Sequence, residues 1–433
     1  MKINEKTWEF IRQHQNDDVR RVALLKVKDL AIDLPMALQQ IAGWQTARKK
    51  LPSWAAIEGI IYPPHLNMEQ CSSEQTARYK ATIAGKGETF VDLTGGLGVD
   101  FYWMSQGFQK RLYVEQNASL CAISTENFRT LGLEATVAYG SAADFLTTLD
   151  HADVIFLDPA RRNEHGGRTY GIKDCTPNVK ELLPELLKKA HSIVLKLSPM
   201  LDWRQAVSDI EETSSDPKAY VHEVHIVSVD NECKELLLVL SHEPTGDAKL
   251  VCVNNDTCFC AVSARETDGF SRGNQWFPKG IPAVFQGGIR CIPTQNTMYS
   301  AGEYEPQEAS SSKHGFLYEP NSSIMKAGCF RELEQRFPVR QLSANSHLFV
   351  SDVEVRDFPG RKFQISAISS MNKQELKAAL ADIRQANISV RNFPLSAEQL
   401  RKKLKLKDGG DVYIFATTLA DGQHRMLICR KIG

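Results

Sequence analysis

The sequence predicts an α/β protein whose main unit is a Rossmann-like, mostly parallel sheet, and three observations lead to this prediction. Short apolar runs rich in β-branched residues alternate with helical stretches between residues 70 and 241, a pattern typical of βαβ units. Only the polar segment DNECK separates the last two runs, so they favour an antiparallel hairpin at the end of the sheet. Before and after this unit the apolar spacing changes, first to that of helices and later to that of an α+β region.

Length and composition are those of a globular protein with several domains. The chain has 433 residues, which corresponds to roughly two to four domains. Apolar residues make up 42% and charged residues 24%, which excludes collagen-like, coiled-coil and largely disordered chains. No apolar run reaches the roughly 18 residues of a membrane-spanning helix, and the charged N-terminus lacks the apolar core of a signal peptide. We therefore expect a cytoplasmic protein.

The charges balance over the whole chain but not along it. There are 52 basic and 52 acidic residues, so no long-range field draws the molecule toward nucleic acid. Residues 1–50 contain 10 basic and 6 acidic groups, and residues 331–433 contain 18 and 11. The sequence therefore leaves room for local basic faces at the two ends of the chain.

Four regions follow from the changes in pattern. Residues 1–65 form a helical region, which ends at the paired prolines of the segment YPPHLN. Residues 66–245 form the α/β unit. Residues 246–330, rich in Gly, Ser, Asn and Pro, are expected to form a small α+β domain, and residues 331–433 a second α+β domain.

The terminal regions contain clear helix and turn signals. Residues 18–27 continue the helical spacing of the N-terminal region. In the C-terminal region, Asn372 is expected to cap a helix over residues 373–386, and Ser396 is expected to cap a basic helix. The Asp-Gly pair in the segment ADGQ predicts a hairpin between the last two strands.

The ten cysteines are scattered, and only Cys252, Cys258 and Cys260 lie close together. Their spacing lacks the paired C-x2-C of a zinc site. The surrounding residues, VCVNNDTCFCAV, predict a strand pair with a tight turn, in which cysteine acts as a small apolar residue. We therefore expect no metal site.

The most informative stretch is a strand followed by a glycine turn. The apolar run at residues 89–93 leads into Gly95, Gly96 and Gly98, where missing Cβ atoms let the backbone turn sharply and approach a ligand. Asp92 stands at the carboxyl end of the strand, the edge at which open α/β sheets bind ligands. The spacing is neither the GxGxxG of a nicotinamide site nor the GK[ST] of a P-loop.

An acid followed by this glycine turn resembles the first motif of class I S-adenosylmethionine-dependent methyltransferases, with Thr94 in the place of the usual first glycine. The resemblance implies the seven-stranded sheet of that family and S-adenosyl-L-methionine as the cofactor. It also implies that Glu115, at the end of the next strand, accepts both ribose hydroxyls and that Asp144 bonds the adenine amine. The residues it assigns to the cofactor are Asp92, Thr94, Gly95, Gly96, Gly98, Glu115, Asp144, Ser73 and Thr76.

The segment QCSSEQTARYK, just before the first strand, predicts a helix start. Ser72 and Gln75 have the spacing of a capping box, and the plain interpretation is a capped helix that packs on the sheet. The resemblance adds a role for Ser73 or Thr76 near the cofactor carboxylate, in keeping with the preference of helix N-termini for anions.

The fourth strand ends in Asp158 and Pro159, within the segment DVIFLDPARR. This segment resembles the fourth motif of nucleic-acid and other amine methyltransferases, which places a carboxylate above the transferred methyl group. Ala160 and Arg161 replace the second proline and the aromatic residue of the usual Asp-Pro-Pro-Tyr, whose ring stacks on a flipped base. Asp158, Pro159 and Arg161 are therefore the catalytic candidates, and the departure leaves the target atom open.

A long loop, residues 163–177, follows this motif. Arg162 and Arg168 are candidates for gripping an RNA phosphate, and Tyr170 for stacking on a base. Lys196, near the end of the fifth strand, is a further substrate-binding candidate. The alternative is a solvated loop held together by ion pairs.

Taken together, these motifs resemble a bacterial family of class I methyltransferases with a THUMP-like C-terminal domain, over about residues 60–433. THUMP domains belong to RNA-modifying enzymes, so the resemblance implies tRNA or rRNA as the partner. A cluster within 17 residues offers either a nucleic-acid contact or a solvated face: Arg391, Arg401, Lys402, Lys403, Lys405 and Lys407. The zero net charge disfavours non-specific binding and favours recognition of a structured RNA by shape.

The first interpretation is thus an S-adenosylmethionine-dependent methyltransferase that modifies a base in structured RNA. A methyltransferase with a protein or small-molecule substrate is the second. An RNA-binding protein with an inactive methyltransferase fold is the third. The sequence assigns no oligomeric state.

Overall fold

The computed structural model describes residues 3–161, 171–172, 175–213, 216–262, 290–291 and 315–432. The helices are α1 (Glu5–His14), α2 (Val19–Val22), α3 (Leu34–Lys50), α4 (Pro52–Ala55), α5 (His65–Gln70), α6 (Glu74–Ala84), α7 (Val99–Met104), α8 (Ala118–Thr130), α9 (Ala142–Thr148), α10 (Val179–Lys189), α11 (Trp203–Thr213), α12 (Ser322–Ala327), α13 (Phe330–Arg336), α14 (Lys373–Ala379) and α15 (Ala397–Leu404), with a 3-10 turn at Ser105–Gly107. None of the helices in these ranges is both long enough and apolar enough to cross a membrane.

Strands alternate with helices in the first half of the chain and predominate in the second. They are β1 (Gly87–Asp92), β2 (Phe108–Glu115), β3 (Thr136–Tyr139), β4 (Ala152–Leu157), β5 (Ala160–Arg161), β6 (Cys175–Thr176), β7 (Ala190–Leu197), β8 (Tyr220–Val229), β9 (Glu232–Ser241), β10 (Lys249–Asn254), β11 (Thr257–Val262), β12 (Arg290–Cys291), β13 (Phe316–Pro320), β14 (Arg340–Gln341), β15 (Phe349–Ser351), β16 (Gly360–Ser369), β17 (Asn387–Arg391), β18 (Val412–Thr418) and β19 (His424–Lys431).

The first sheet forms the main body of the molecule. Seven of its strands have the order β3-β2-β1-β4-β7-β9-β8. In this order the first five strands, β3, β2, β1, β4 and β7, are parallel, and β9 runs antiparallel to both of its neighbours, β7 and β8. This is the predicted Rossmann-like sheet with a terminal antiparallel hairpin, so the fold class is confirmed. Three further strands, β10, β11 and β12, extend the sheet beyond β8.

The central strands are apolar on both faces because helices cover the sheet on both sides. Successive side chains of a strand point to opposite faces. Phe90 of β1 packs in one apolar cluster with Phe101 of α7, while Val91 packs in another cluster with Leu186 of α10. Asp92 is the first charged residue after this run, which places its carboxyl group at the carboxyl edge of the sheet.

The second sheet has the order β14-β15-β13-β16-β19-β18-β17, and the predicted hairpin across the segment ADGQ joins β18 to β19. The distribution of strands differs from the expected small domain at residues 246–330. β10 pairs with the open edge of β8 and so joins the first sheet, whereas β13 pairs with β15 and β16 and belongs to the second. The cause is long-range pairing, which local sequence pattern does not encode.

Helix α12 joins the two sheets. Asn321 caps its start, and the amide of Ser322 donates to Oδ1 of Asn231, at the tip of the β8–β9 hairpin, over 2.7 Å. At the other end of the helix, the carbonyl of Ala327 accepts a hydrogen bond from Nε1 of Trp203 over 3.3 Å. The helix is therefore attached at its start to the β8–β9 hairpin of the first sheet and at its end to α11.

The N-terminal region is helical as expected, but the helix predicted at residues 18–27 is wrong in length. α2 ends at Val22, and Leu24 and Leu25 are 84% and 45% exposed. The amide of Leu24 bonds the carbonyl of Arg21, an i to i−3 bond typical of the tighter turn that ends a helix. Val19, Val22 and Val27 still pack in the N-terminal apolar cluster, so only Leu24 and Leu25 depart from the expected apolar face.

In the C-terminal region both predicted N-caps are confirmed. Asn372 caps α14, and Ser396 forms a full capping box at the start of α15. The helix predicted over residues 373–386 is too long, however, because α14 ends after 7 residues. The amide of Ala386 donates instead to the carbonyl of Lys407 over 2.9 Å, and this contact draws the chain out of the helix.

Candidate active site

The glycine turn lies at the carboxyl edge of the first sheet, between β1 and α7. A Cβ at Gly95 would lie 2.1 Å from the ring of Tyr113. Gly98 has a φ of +79°, and a Cβ there would lie 2.6 Å from the ring of Phe128. Gly96 also has a positive φ, +59°, but the nearest atom to its Cβ position is 3.9 Å away. Packing therefore requires the first and third glycines, whereas the Cβ position of the middle one is uncrowded.

Asp92 lies beneath this turn. Its side chain is buried, and its Oδ1 accepts a hydrogen bond from the amide of Thr94 over 2.9 Å. Burial raises the pKa of Asp92 well above its usual range, and the nearby carboxylates of Asp100, Asp158 and Glu115 add to this effect. The carboxyl group therefore fixes the start of the turn from below.

Glu115 joins the end of β2 to the glycine turn. Its Oε2 accepts a hydrogen bond from the amide of Gly96 over 2.8 Å, and its Oε1 accepts one from the amide of Asn117 over 2.7 Å. The hydroxyl of Tyr113 donates to the carbonyl of Gly96 over 2.5 Å. Because a carboxylate oxygen has more than one lone pair, Glu115 can still accept from hydroxyl donors.

Asp158 follows β4, the strand next to β1. Its amide donates to the hydroxyl oxygen of Thr94 over 2.6 Å, so the Asp-Pro corner and the glycine turn are tied together. A glycine at position 94 could not make this bond, because it has no hydroxyl group. Pro159 is buried, while the side chain of Asp158 is 38% exposed. A carboxylate is thus presented at the same edge as the backbone of Gly96.

The structure describes part of the predicted substrate loop. The backbone of Arg161 lies in β5, which pairs antiparallel with β6, and Ile172 is buried in the apolar core of the first sheet. Arg162, Arg168 and Tyr170 lie outside the described residues. Their contacts with RNA therefore stay predictions.

Lys196 of β7 lies beneath Asp158. Its Nζ is 2.6 Å from Oδ2 of Asp158, and the lysine side chain is 10% exposed. The same ammonium group donates to Oγ of Ser72 over 3.0 Å. The sequence suggested Lys196 as a direct substrate contact, but in the structure protein groups surround its ammonium group.

A second lysine, Lys80 of α6, is fully buried beside the first. Its Nζ lies 3.1 Å from Oδ1 of Asp100 and 2.5 Å from Oε2 of Glu235. The hydroxyl of Ser72 lies between these groups, 2.7 Å from Asp100 and 3.2 Å from Glu235. We call the following six residues the lysine–carboxylate cluster: Ser72, Lys80, Asp100, Asp158, Lys196 and Glu235.

The opposite charges of this cluster shift several pKa values. Burial alone would lower the pKa of Lys196, but the carboxylates of Asp158, Asp100 and Glu235 hold it well above its usual range. Burial raises the pKa of Asp158, and Lys196 offsets part of that rise. Burial would also raise the pKa of Asp100, but Lys80 and Lys196 outweigh it and lower that pKa. Lys196 and Asp100 are therefore charged at neutral pH.

The predicted capping box of Ser72 and Gln75 is wrong. The N-cap of α6 is Ser73, whose Oγ accepts a hydrogen bond from the amide of Thr76 over 3.2 Å. Ser72 is drawn into the cluster, so the cap moves by one residue. The hydroxyl of Thr76 is buried and donates to the carbonyl of Ser73 over 3.1 Å. A contact of Ser73 or Thr76 with a cofactor stays a prediction.

Asp144 lies in the first turn of α9, after β3. Its Oδ2 accepts a hydrogen bond from the hydroxyl of Ser141 over 2.7 Å, and its side chain is exposed. Tyr139, at the end of β3, is 70% exposed. Asp144 is therefore accessible near the carboxyl end of β3, and its bond to adenine stays a prediction.

Three members of the cluster escaped the sequence analysis: Lys80, Asp100 and Glu235. A signal was present for Lys80, because it stands three residues after Ala77 and four before Ala84, both of which are buried. A lysine on the apolar face of a helix needs a buried partner. Nothing local indicates which carboxylate that partner is.

The charged residues near the C-terminus divide into two groups. Three of the six predicted RNA contacts are engaged in ion pairs, Arg391 with Glu319, Arg401 with Asp408 and Lys402 with Glu398. Lys403, Lys405 and Lys407 are exposed, and within the described part of the chain their ammonium groups have no recorded ion-pair partner. These three are the cations available to a ligand.

The residues at the carboxyl edge fit S-adenosyl-L-methionine. The Cβ position of Gly96 is uncrowded, so a ligand can approach the turn there, and Glu115 retains acceptor capacity for two hydroxyl groups. The start of α6 provides backbone amides of the kind that bind carboxylates. Across the described ranges, no group of three or more His, Cys, Asp or Glu side chains is arranged to hold a metal ion.

Comparison with known families identifies the second sheet. Residues 316–359 match a ferredoxin-like domain, and residues 360–431 match the THUMP domain-like family. No functionally curated protein matches the sequence.

One solved structure matches the chain over its whole length. It is a protein of Porphyromonas gingivalis W83 assigned as a methyltransferase, with 30% sequence identity, 100% of both chains covered and a TM-score of 0.76. A protein of Listeria monocytogenes assigned as a class I S-adenosylmethionine-dependent methyltransferase is 9% identical and matches 58% of this chain and 94% of its own, with a TM-score of 0.37. A Streptococcus pneumoniae protein assigned as a tRNA (m1A22) methyltransferase, in complex with S-adenosyl-L-methionine, is 12% identical and matches 40% and 74%, with a TM-score of 0.31. The first similarity extends over both sheets, whereas the other two cover only part of the chain.

Proposed function

Since the chain belongs to the family of class I S-adenosylmethionine-dependent methyltransferases that carry a THUMP-like C-terminal domain, we propose that it transfers a methyl group from S-adenosyl-L-methionine to a base in structured RNA, a tRNA or an rRNA. The THUMP-like domain supports RNA as the substrate, because THUMP domains belong to RNA-modifying enzymes. The balanced net charge supports recognition by shape, since it provides no general attraction to phosphates.

The observation that carries the proposal is the bond between the Asp-Pro corner and the glycine turn. The amide of Asp158 and the hydroxyl of Thr94 are 2.6 Å apart. This bond ties a partly exposed carboxylate to the turn whose middle glycine, Gly96, has an uncrowded Cβ position. A methyl donor at the turn and a nucleophile at Asp158 would therefore meet at one edge of the sheet.

The protein's part in the proposed reaction is mainly alignment. When bound, the cofactor supplies an electrophilic methyl group on a sulfonium sulfur. We assign Glu115 to the ribose hydroxyls, Asp144 to the adenine amine, and Ser73 or Thr76 to the carboxylate. Asp158 orients the attacking nitrogen, and correct placement of reacting groups can supply much of the rate enhancement.

RNA contact is proposed at two surfaces. One is the loop after Asp158, with Arg161, Arg162, Arg168 and Tyr170. The other is the exposed set at the end of α15, Lys403, Lys405 and Lys407. Phosphate contacts of this kind position the RNA, and a stacked base is placed at the catalytic edge.

The test compares Asp158→Asn with Asp150→Asn, which removes an equal charge just before the start of β4, where the side chain is exposed. We expect the wild-type protein to transfer a tritiated methyl group to total RNA from a strain that lacks the gene. Asp158→Asn should lower the rate by about 10²–10⁴-fold, as removal of a group acting on the reacting proton does. Its affinity for S-adenosyl-L-methionine, measured by calorimetry, should be unchanged, and Asp150→Asn should match the wild type in both measurements.

Nucleoside mass spectrometry of the methylated RNA then identifies the modified base. A wild-type protein that binds the cofactor but labels no RNA contradicts the RNA substrate, and labelling of proteins or small molecules would support the second interpretation instead. Undiminished transfer by Asp158→Asn would remove Asp158 from the proposed mechanism.

A further inference from the structure

The lysine–carboxylate cluster contains one carboxylate more than it has lysines. Lys80 and Lys196 are opposed by Asp100, Glu235 and Asp158. Both lysine side chains and those of Asp100 and Glu235 are at most 10% exposed, whereas that of Asp158 is 38% exposed. Asp158 is therefore the member of the cluster that reaches the surface, and Lys196 is its nearest counter-charge.

Lys196 is the link between the deeply buried members of the cluster and this carboxylate. Its Nζ lies 2.6 Å from Oδ2 of Asp158, against 3.6 Å from Asp100 and 3.9 Å from Glu235. Within the described part of the chain, no hydrogen bond is recorded to Oδ1 of Asp158, so this oxygen is available to a substrate. Ser72 holds Lys196 from the other side, which fixes the ammonium group under the carboxylate.

We propose that Lys196 is a positioning residue for methyl transfer to a base nitrogen that carries hydrogen, holding Asp158 unprotonated so that Asp158 accepts the proton released by that nitrogen. The proposal rests on the proposed function and specifies its substrate class, an amino or imino nitrogen of a base. It also explains why a lysine occupies a buried strand position, where an ion pair alone contributes little net stability over an apolar pair.

The proton has a defined route in this step. The nitrogen lone pair forms the new N–C bond while the C–S bond of the methylsulfonium donor breaks, and the electron pair of that bond goes to sulfur. The nitrogen, now positively charged, loses a proton to Oδ1 of Asp158. Because Asp158 is partly exposed, the proton can pass from it to water, which restores the carboxylate for the next turnover.

The charges around Asp158 set the expected directions. Ammonium groups favour its ionised form, and carboxylates disfavour it. Burial raises the pKa of Asp158, the two lysines oppose that rise and the aspartates support it. The groups that face Asp158 directly or through Lys196 are Lys196 from β7, Asp100 from α7, Lys80 from α6, Asp92 at the end of β1 and Glu235 from β9.

The experiment compares three variants: Lys196→Met, Lys196→Arg and Asp100→Asn. The first readout is the pH dependence of the methylation rate. The second uses no cofactor and no RNA: the carboxyl carbon of Asp158 is titrated by NMR in protein labelled with ¹³C at the aspartate carboxyl groups, with Asp158→Asn used to assign the signal. The second readout therefore tests Lys196 independently of catalysis.

Lys196→Met should move the acidic limb of the rate profile and the titration of Asp158 upward by about 1–3 pH units, because the carboxylate loses its counter-charge. Lys196→Arg should restore both to within about 0.5 unit of the wild type, since it keeps the charge. Asp100→Asn should move both downward, because one repelling carboxylate is gone. A merely structural role of Lys196 would not produce pH shifts of opposite sign in Lys196→Met and Asp100→Asn.

Lower activity of Lys196→Met with an unmoved rate profile and an unmoved titration would overturn the proposal. If Lys196→Met does not fold, the isosteric Asp100→Asn decides, and a titration that fails to move downward overturns the proposal. A wild-type protein that is inactive on RNA, but shows the expected titration shifts, contradicts the proposed function and supports the control of Asp158 by Lys196.

Discussion

Two regions of the molecule collect charged side chains, and they hold them in different ways. The lysine–carboxylate cluster buries Lys80 completely, between carboxylates at 2.5 and 3.1 Å. At the start of α15, by contrast, the ion pair of Lys402 with Glu398 leaves these side chains 77% and 74% exposed. Water screens the exposed pair but not the buried cluster, so the same residue types have different functions in the two places.

The comparison shows where a charge needs a counter-charge at a fixed position and where solvent and salt can replace that counter-charge. In the cluster each charge has a fixed neighbour, and removing one leaves another uncompensated. On α15 a lost charge is replaced by solvent and salt at little cost. The first arrangement suits the control of a single proton, and the second suits loose contact with a polyanion.

The largest expected effect separates the two regions by stability. Lys80→Met should lower the free energy of unfolding by about 3–5 kcal/mol, because it leaves Asp100 and Glu235 buried without their counter-charge. Lys402→Met should change it by less than about 0.5 kcal/mol. Urea denaturation followed by circular dichroism measures both values.

The pair of variants is matched, since each replaces a lysine on a helix by methionine. Equal losses of stability in the two variants would mean that the protein depends no more on the buried lysine of the cluster than on the lysine of an exposed ion pair. Raising the salt concentration should leave the deficit of Lys80→Met unchanged, because buried charges are poorly screened.

A smaller effect tests whether stability depends on the backbone of the glycine turn as it depends on the buried charges. In Gly95→Ala the new Cβ would overlap the ring of Tyr113, at 2.1 Å, so unfolding should become easier by about 1–3 kcal/mol and cofactor affinity should fall. Thermal denaturation and calorimetry measure these two effects.

Gly140→Ala is the control for this variant. It lies at the end of β3, and no atom comes within 4 Å of its Cβ position, so stability should be unchanged or raised by less than about 1 kcal/mol. Similar behaviour of the two variants would show that the turn can rearrange and that Tyr113 does not define it.

The smallest effect concerns the exposed lysines. Replacing Lys403, Lys405 and Lys407 together by Gln should weaken binding of tRNA or rRNA by roughly tenfold and reduce the slope of log affinity against log salt by about 2–3, since each phosphate contact contributes nearly one unit. Filter binding over a range of salt concentrations measures both quantities.

The control variant replaces Lys26, Lys28 and Lys49 together by Gln. It changes the net charge by the same amount, but in the N-terminal region. It should alter the affinity and the salt slope much less. Equal effects in the two triple variants would mean that RNA is attracted by charge in general and that the end of α15 has no special part.

The sequence predicted the fold well where the signals are local. The run at residues 89–93 and the glycines after it belong to one strand and one turn, so neighbouring residues are enough to define them. The N-caps Asn372 and Ser396 were likewise read correctly. Ser72 was misread as a cap, because its hydroxyl has a competing partner in Asp100, 28 positions further along the chain.

Contacts between distant segments could not be predicted in this way. Lys80 and Glu235 are 155 positions apart, and only the folded sheet brings α6 next to β9. The same holds for β10, whose pattern indicates a strand but not that its partner is β8. The site residues that came from local motifs were therefore found, and the buried cluster that connects them was not.

The attachment of α12 determines where the chain can be divided into fragments that fold separately. Ile324 and Ala327 belong to the same apolar core as Val224 and Leu250 of the first sheet. Separating the chain ahead of β13 would leave both fragments with this surface open to water, which favours aggregation. The fragment from β13 onward, which contains the ferredoxin-like and THUMP-like matches, is therefore not a detachable reagent for RNA binding, and the intact chain should melt in a single cooperative transition.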